Sequence, residues 1–288
     1  MQFSPLIVGT MRWSSWGASH PKEEIQTLIE SCLDLGLYTF DSADIYGGYT
    51  WEPSLGEALG EMNLPRKSYQ LISKGGIKYK GGARLHEVKS YDLSKDYLIK
   101  CVEQSLQDLK TDYLDLFLLH RPSPLMNPEE IAAAFSLLRS SGKVLNFGVS
   151  NFSSLEFDSV LKYFPALITN QIEISLTATE AFFDGRILQQ QALGLKPTAW
   201  SPLGSYFSAD DEKSQRIAPV LKTLTEKYGA SEAELLVSFL RKSPAGIVPI
   251  IGSSKVESIQ KLAGSLDLML SDEDWYLLLE ASRGRRVL

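Results

Sequence analysis

Short apolar runs alternate with longer amphipathic ones along nearly the whole chain. The short runs are rich in Leu, Ile, Val and aromatic residues and bounded by polar or turn residues, as buried strands are. They predict strands at Leu6–Gly9, Leu37–Phe40, Tyr69–Ser73, Leu114–Leu119, Val144–Gly148, Leu167–Gln171, Lys196–Trp200 and Ile247–Ile251. Apolar positions three and four apart predict helices at Lys22–Leu35, Ser54–Met62, Ser94–Leu109, Pro128–Ser141, Ser153–Tyr163, Glu180–Leu193, Lys213–Tyr228, Ser231–Lys242, Lys255–Ser265 and Asp272–Ser282. Asn127-Pro128-Glu129-Glu130 offers a cap, a proline at the first helical position and acids in the first turn. Ser254-Lys255-Val256-Glu257 matches a capping box. Strands alternating with helices imply a parallel sheet, and eight repeats without a linker imply closure. The expected fold is an α/β (β/α)8 TIM barrel, a parallel eight-stranded barrel with outer helices, in a single domain over residues 1–288.

The bulk numbers narrow the class. The 288 residues suit such a barrel, which commonly uses about 250. A formal charge of −6 argues against nucleic acid as a partner and leaves any anionic ligand to a local basic spot. The two cysteines, Cys32 and Cys101, fall inside helical segments, so no disulfide framework is expected and a reducing cytoplasm is the expected setting. No apolar run reaches membrane-spanning length, and the start lacks a signal-peptide pattern. A monomer is the expected state. The stretch from Gly75 to Tyr91, with GGIKYKGGAR inside it, is a long connection of the kind that is often functional.

Four residues with acid–base side chains close apolar runs or follow one closely: Asp41, Tyr46, Lys74 and His120. A parallel barrel gathers its strand ends on one face, where its chemistry is done. There a tyrosine could protonate a developing alkoxide. An ammonium beside it would lower its pKa, a carboxylate would keep that ammonium charged in a dry pocket, and a histidine could orient the substrate oxygen. Taken singly, each has an ordinary structural role: a turn cap, a packed ring, a solvated charge, a loop hydrogen bond. Their common position at strand ends, and the Asp-x-Ala-x-x-Tyr-Gly spacing of Asp41 to Gly47, favour the functional reading. Lys74 is then expected to matter for rate more than for folding.

The chain resembles the aldo-keto reductase family. FDSADIYGG is similar to that family's Asp-x-Ala-x-x-Tyr-Gly segment, LLHRP to its histidine segment and GKVLNFGVSNF to a further signature. The loop after Lys74, with ARLHE, and HRPSPLM resemble a bacterial subgroup of uncharacterised NADP-dependent oxidoreductases. The resemblance runs from Val8-Gly9-Thr10 to the last helices. It implies a (β/α)8 barrel, a nicotinamide cofactor, and Asp41, Tyr46, Lys74 and His120 as catalytic tetrad, with no metal.

No Gly-x-Gly-x-x-Gly opens a helix after the first strand, so a Rossmann domain is disfavoured. Barrels often hold phosphate in the loops after strands seven and eight. Here these are Trp200-Ser201-Pro202-Leu203-Gly204-Ser205 and Gly252-Ser253-Ser254-Lys255. The resemblance implies that Trp200 stacks on nicotinamide, that Ser150, Asn151 and Gln171 bond its carboxamide, and that Gly9, Thr10, Met11 and Asp41 also line the cofactor. Ser258 stands where many members carry an arginine for the 2′-phosphate, and Lys255 is the nearby cation. NADPH is the expected cofactor, with weaker discrimination against NADH than an arginine would give. Trp13, Tyr46, Trp51, His120 and Arg121 are expected around a small-molecule carbonyl substrate. The expected activity is NAD(P)H-dependent carbonyl reduction. Two other readings differ in class: a redox-sensing regulatory subunit that binds NADPH with little turnover, and an isomerase or aldolase with Lys74 as Schiff base.

Overall fold

The computed structural model describes residues 1–286. Ten strands and ten α-helices are present among them. The strands are β1 (Ile7–Gly9), β2 (Thr39–Asp41), β3 (Gln70–Gly75), β4 (Ile77–Lys78), β5 (Ser90–Tyr91), β6 (Leu116–Leu119), β7 (Phe147–Ser150), β8 (Leu167–Glu173), β9 (Thr198–Trp200) and β10 (Val248–Ile251). The helices are α1 (Lys22–Asp34), α2 (Trp51–Glu61), α3 (Lys95–Asp108), α4 (Pro128–Ser140), α5 (Ser154–Tyr163), α6 (Arg186–Ala192), α7 (Glu212–Tyr228), α8 (Glu232–Arg241), α9 (Val256–Ala263) and α10 (Asp272–Arg283). Eight strands close into a barrel in the order β1-β10-β9-β8-β7-β6-β3-β2. The eight runs read from the sequence are these eight strands. The remaining two, β4 and β5, pair antiparallel and turn the Gly75–Tyr91 connection into a hairpin.

The chain divides into two compact units, one of residues 1–171 with 252–256, the other of residues 172–251 with the chain from 257 onward. In the first unit the register levels the strand ends. Gly9 pairs with Asp41, Asp41 with Ile72, Lys74 with Leu118, Leu119 with Val149, and Ser150 with Gln171. Asp41 and Ser150 at the ends of β2 and β7, Lys74 beside the end of β3, and His120 just after β6 therefore share one rim. Gly148 lies at an irregularity in the β7–β8 pairing, where an added Cβ would come within 2.7 Å of the Thr169 carbonyl oxygen. Outside the barrel wall, Phe135 stacks on Phe147 at 4.4 Å, and Phe164 meets both edge-on.

The second unit has its own core of Ile172, Leu221, Leu235, Leu236, Phe239, Leu278 and others. Phe239 and Trp275 stack at 4.9 Å, and the indole N–H of Trp275 donates to the Phe239 carbonyl. Pairing of β9 with β10 completes its share of the strands.

Helix starts follow the local chemistry. Asn127 caps α4 by accepting from Glu129 N–H, with Pro128 at the first position. Ser153 with Glu156, and Ser231 with Glu234, form capping boxes on α5 and α8. The expected helix over Glu180–Leu193 is instead a short 3-10 turn followed by α6, because Gly185 takes φ 92° and breaks the run. Among the described residues no helix is long and apolar enough to cross a membrane.

One carboxylate ties α7 to α10. Asp274 accepts from Lys227 at 2.7 Å, from Ser271, and from the Tyr228 hydroxyl. Although burial opposes ionisation, these bonds hold its pKa down, from 3.8 to about 2. A depressed carboxylate contributes stability that is whole above the unfolded value and is lost as pH falls through the folded one. After discounting for solvent around Lys227, the contribution is about 1 to 2 kcal/mol. Thermal melts of Asp274→Asn should show a lower Tm than wild type at pH 7, with the difference shrinking between pH 4 and pH 2. A constant difference across that range would assign the loss to packing instead.

Candidate active site

The rim of the first unit carries a continuous hydrogen-bonded chain. Lys74, on β3, is the hub and is only 1% exposed. Its ammonium donates to Asp41 Oδ2 at 2.6 Å, to the Ser42 carbonyl at 2.8 Å and to the Tyr46 hydroxyl at 3.0 Å. Asp41 closes β2, and its other oxygen accepts from Gln171 Nε2 at 2.9 Å. Ser150 donates to the Gln171 carbonyl at 2.9 Å. Asn151, held at φ 65°, donates to Ser150 Oγ at 2.7 Å and to the His120 carbonyl at 3.3 Å. Hydrogen bonds thus join β2, β3, β7 and β8 and reach the residue after β6, two of them through the main-chain carbonyls of Gln171 and His120. Four expected acid–base residues and three expected amide-binding residues belong to this one network.

The electrostatics separate the roles. Burial alone would lower the Lys74 ammonium, but Asp41 and Tyr46 outweigh it, so its pKa lies above the ordinary value. Such a lysine stays protonated and is a poor Schiff-base nucleophile, which needs a neutral amine. Burial holds the Tyr46 phenol above its ordinary pKa, Lys74 pulls it down and Asp41 pushes it up. The expectation from sequence was a lowered tyrosine; the net direction is upward, with Lys74 limiting the rise. His120 is held well below its ordinary value by burial first, then by the charges of Lys74, Arg121 and Lys89. It is therefore neutral at neutral pH. Its ring meets Tyr46 edge-on at 6.1 Å, and its Nδ1 has no hydrogen-bond partner.

The surroundings differ from the expected pocket wall. Trp13 and Trp51 are buried, at 0% and 2% exposure, and pack edge-on at 6.4 Å. Trp51 donates to Thr10 Oγ1 at 2.8 Å, and Thr10 donates to the Asp41 carbonyl at 3.0 Å. Trp13 donates to the Ser253 carbonyl at 2.7 Å. Both indole N–H groups are thus spent on the segments that follow β1 and β10. The surface over Tyr46 comes from Trp16, 39% exposed and edge-on to Tyr46 at 6.1 Å, with Tyr79 at 5.3 Å from Trp16. An exposed tryptophan in SSWGAS and a tyrosine in GIKYKGG were the available signals. Arg121 follows His120 and is half-buried.

Of the expected cofactor residues, Gly9 ends β1, and Met11 is 40% exposed just beyond it. The Gly252–Lys255 segment is held by Trp13 and by His20, whose Nε2 lies 2.9 Å from the Ser254 carbonyl. Lys255 is exposed. In the second unit Trp200 ends β9 half-buried, followed by Ser201 at φ 51° and Pro202. Leu203 is half-buried, and Ser205 N–H donates to Thr177 Oγ1 at 3.0 Å. Ser258 lies in α9. Among the described residues no cluster of His, Cys, Asp and Glu could hold a metal ion.

A family model described as the aldo/keto reductase family matches residues 5–283. An uncharacterized oxidoreductase, YcsN, of Bacillus subtilis is 40% identical, over 99% of this chain and 96% of that protein. A 6-dehydroglucose reductase of Agrobacterium fabrum is 35% identical, over 100% and 97%. The crystal structure of an aldo/keto reductase from Klebsiella pneumoniae in complex with NADP and acetate superposes with a TM-score of 0.76 at 23% identity, over 96% and 90%.

The buried pair makes a stability prediction. Lys74→Met leaves Asp41 charged and without its cation, which costs about 3 to 5 kcal/mol. Lys74→Met/Asp41→Asn removes both charges and should regain most of that loss. Urea unfolding of the three chains checks this. If Lys74→Met is as stable as wild type, the buried pair contributes nothing to folding and the lysine serves rate alone.

Proposed function

We propose that this chain, which belongs to the aldo/keto reductase family, reduces an aldehyde or ketone to an alcohol with NADPH, the whole chain acting as one barrel domain. The observation that carries the reading is the Lys74 ammonium held between Asp41 and the Tyr46 hydroxyl, at 2.6 and 3.0 Å. Bound nicotinamide would supply the hydride. Tyr46 gives its proton to the carbonyl oxygen. Lys74 stabilises the phenolate left behind, and Asp41 keeps Lys74 charged. Neutral His120 donates a hydrogen bond that orients the substrate oxygen. Trp16, Tyr79 and Arg121 flank the substrate.

The residues suit the cofactor. Gln171 spends its amide nitrogen on Asp41, which leaves its carbonyl oxygen to accept from a carboxamide. The Gly252–Ser254 main chain and exposed Lys255 suit an anionic group. Trp200 offers a ring face for nicotinamide, with Ser201 to Ser205 and Ser258 as further contacts. A relative 35% identical is named for 6-dehydroglucose, so that aldehyde belongs in the substrate panel.

Tyr46→Phe should lose about 10² to 10⁴-fold in turnover while keeping cofactor affinity, because only the hydroxyl goes. NADPH oxidation with a panel of aldehydes and ketones, beside NADPH binding by fluorescence, reads both. Turnover near wild type would remove Tyr46 as the acid, and tight binding with negligible turnover by the wild-type chain would favour a sensor.

Cofactor choice has a separate test. Ser258 cannot make the bidentate contact of an arginine, so Lys255 is assigned the 2′-phosphate. Lys255→Ala should weaken NADPH by about ten- to a hundred-fold and NADH far less. Equal losses for both would free Lys255 of that role.

A further inference from the structure

The loop that leaves Lys74 comes back to the turn that follows Tyr46. Gly47, Gly48 and Tyr49 form that turn with φ of 58°, 68° and 71°. Ala83 N–H donates to the Gly48 carbonyl at 2.8 Å. At Gly82 an added Cβ would come within 2.7 Å of the same oxygen, so the loop main chain lies flush against the turn. The Tyr49 hydroxyl donates to the Ile77 carbonyl at 3.2 Å and accepts from Tyr79 N–H at 2.7 Å.

Arg84 is the charged part of this docking. Its guanidinium lies 4.3 Å from the Tyr49 ring centre. One nitrogen donates to Asp44 Oδ2 at 3.2 Å, and the other lies 3.9 Å from Asp108 Oδ2 at the end of α3. The Asp44 side chain is fully buried, and its backbone N–H donates to the Lys74 carbonyl at 3.1 Å. Asp44 stands between Asp41 and Tyr46 in sequence, so one cation grips the loop, the segment carrying two of the acid–base residues, and a flanking helix.

We propose that Arg84 is a positioning residue for Tyr46: it latches the 76–89 loop onto the Asp44–Tyr49 segment and so fixes both the tyrosine and the Tyr79 wall of the substrate pocket. The apolar side chains at the loop tip do not hold it, since Leu85 is 99% and Val88 65% exposed. Asp44 needs a partner as well. Burial, with Glu52 nearby, pushes its pKa up to about 8 even against the pull of Arg84. Without the arginine the base of the loop keeps its strand pairing and its bonds to Tyr49, and the tip keeps the Ala83 bond to Gly48, but the side-chain tie to Asp44 is lost.

The inference rests on Tyr46 as proton donor, and the test separates the two. Full-length wild type, Arg84→Met, Arg84→Lys, Asp44→Asn and Arg84→Met/Asp44→Asn are assayed with NADPH and 4-nitrobenzaldehyde. Arg84→Met should lower kcat by about 10- to 100-fold, the scale of a small misplacement at a reacting centre. KM should rise, and the NADPH dissociation constant should not change. Arg84→Lys should fall between wild type and Arg84→Met, because a lysine cannot span both acids while lying flat on Tyr49. The double variant should lose no more than Arg84→Met, as residues acting through one contact do. Wild-type kcat and KM in Arg84→Met, with only a lower melting temperature, would reduce Arg84 to a brace and overturn the proposal. So would losses that simply add in the double variant. If Arg84→Met does not fold, Arg84→Lys decides by the same measure. Failure of the underlying reading looks different: Tyr46→Phe would then match wild type whatever Arg84 does.

Discussion

A single ammonium, that of Lys74, is buried at the rim of the barrel and answered by Asp41 at 2.6 Å. Taking a charge out of water costs several kcal/mol unless a partner and further hydrogen bonds meet it. Here they do: Asp41, the Ser42 carbonyl and the Tyr46 hydroxyl surround the nitrogen. The pair constrains the strands that carry it. Asp41 closes β2 and Lys74 is the last residue but one of neighbouring β3, and the Asp41↔Ile72 register sets them at bonding distance. Gln171 then joins β8 to the pair, and Ser150 and Asn151 continue the chain to the His120 segment.

The same charge divides the chemistry around it. It restrains the rise that burial imposes on the Tyr46 phenol, and it helps keep the His120 imidazole neutral. One group is thereby suited to giving a proton and the other to holding an oxygen without carrying charge. Environments that push neighbouring groups to different protonation states are how acid and orienting roles are told apart. The fold supplies this by geometry alone, because parallel strands end level and their side chains converge.

Much of this was legible in the sequence, for physical reasons. Buried parallel strands are short unbroken apolar runs, so all eight barrel strands could be read, as could the polar residues that end them. Ser150, Asn151 and Gln171 were named for a carboxamide; the structure links them to one another and, through Gln171, to Asp41. Other features depend on three-dimensional packing that no short window reports. Trp13 and Trp51 were expected at the pocket, but both are buried, with their indole N–H groups on the Ser253 carbonyl and Thr10 Oγ1. Trp16, three residues after Trp13, is the exposed ring instead. Arg84 lay in a glycine-rich loop, and only the fold brings it to Asp44. Gly185 broke a helix that apolar spacing alone had extended. The upward direction of the Tyr46 pKa follows first from burial, which spacing from Asp41 does not convey.

The pH dependence of kcat in wild type and Lys74→Met, taken below the melting temperature of the variant, addresses the central claim directly. Reduction needs Tyr46 protonated, so kcat should fall at high pH as the phenol ionises. Removing the ammonium removes its downward pull on that phenol. The basic limb of Lys74→Met should therefore move to higher pH, and its plateau should drop, since the phenolate left after transfer is no longer stabilised. A Lys74→Met profile with the height and shape of wild type would contradict the account.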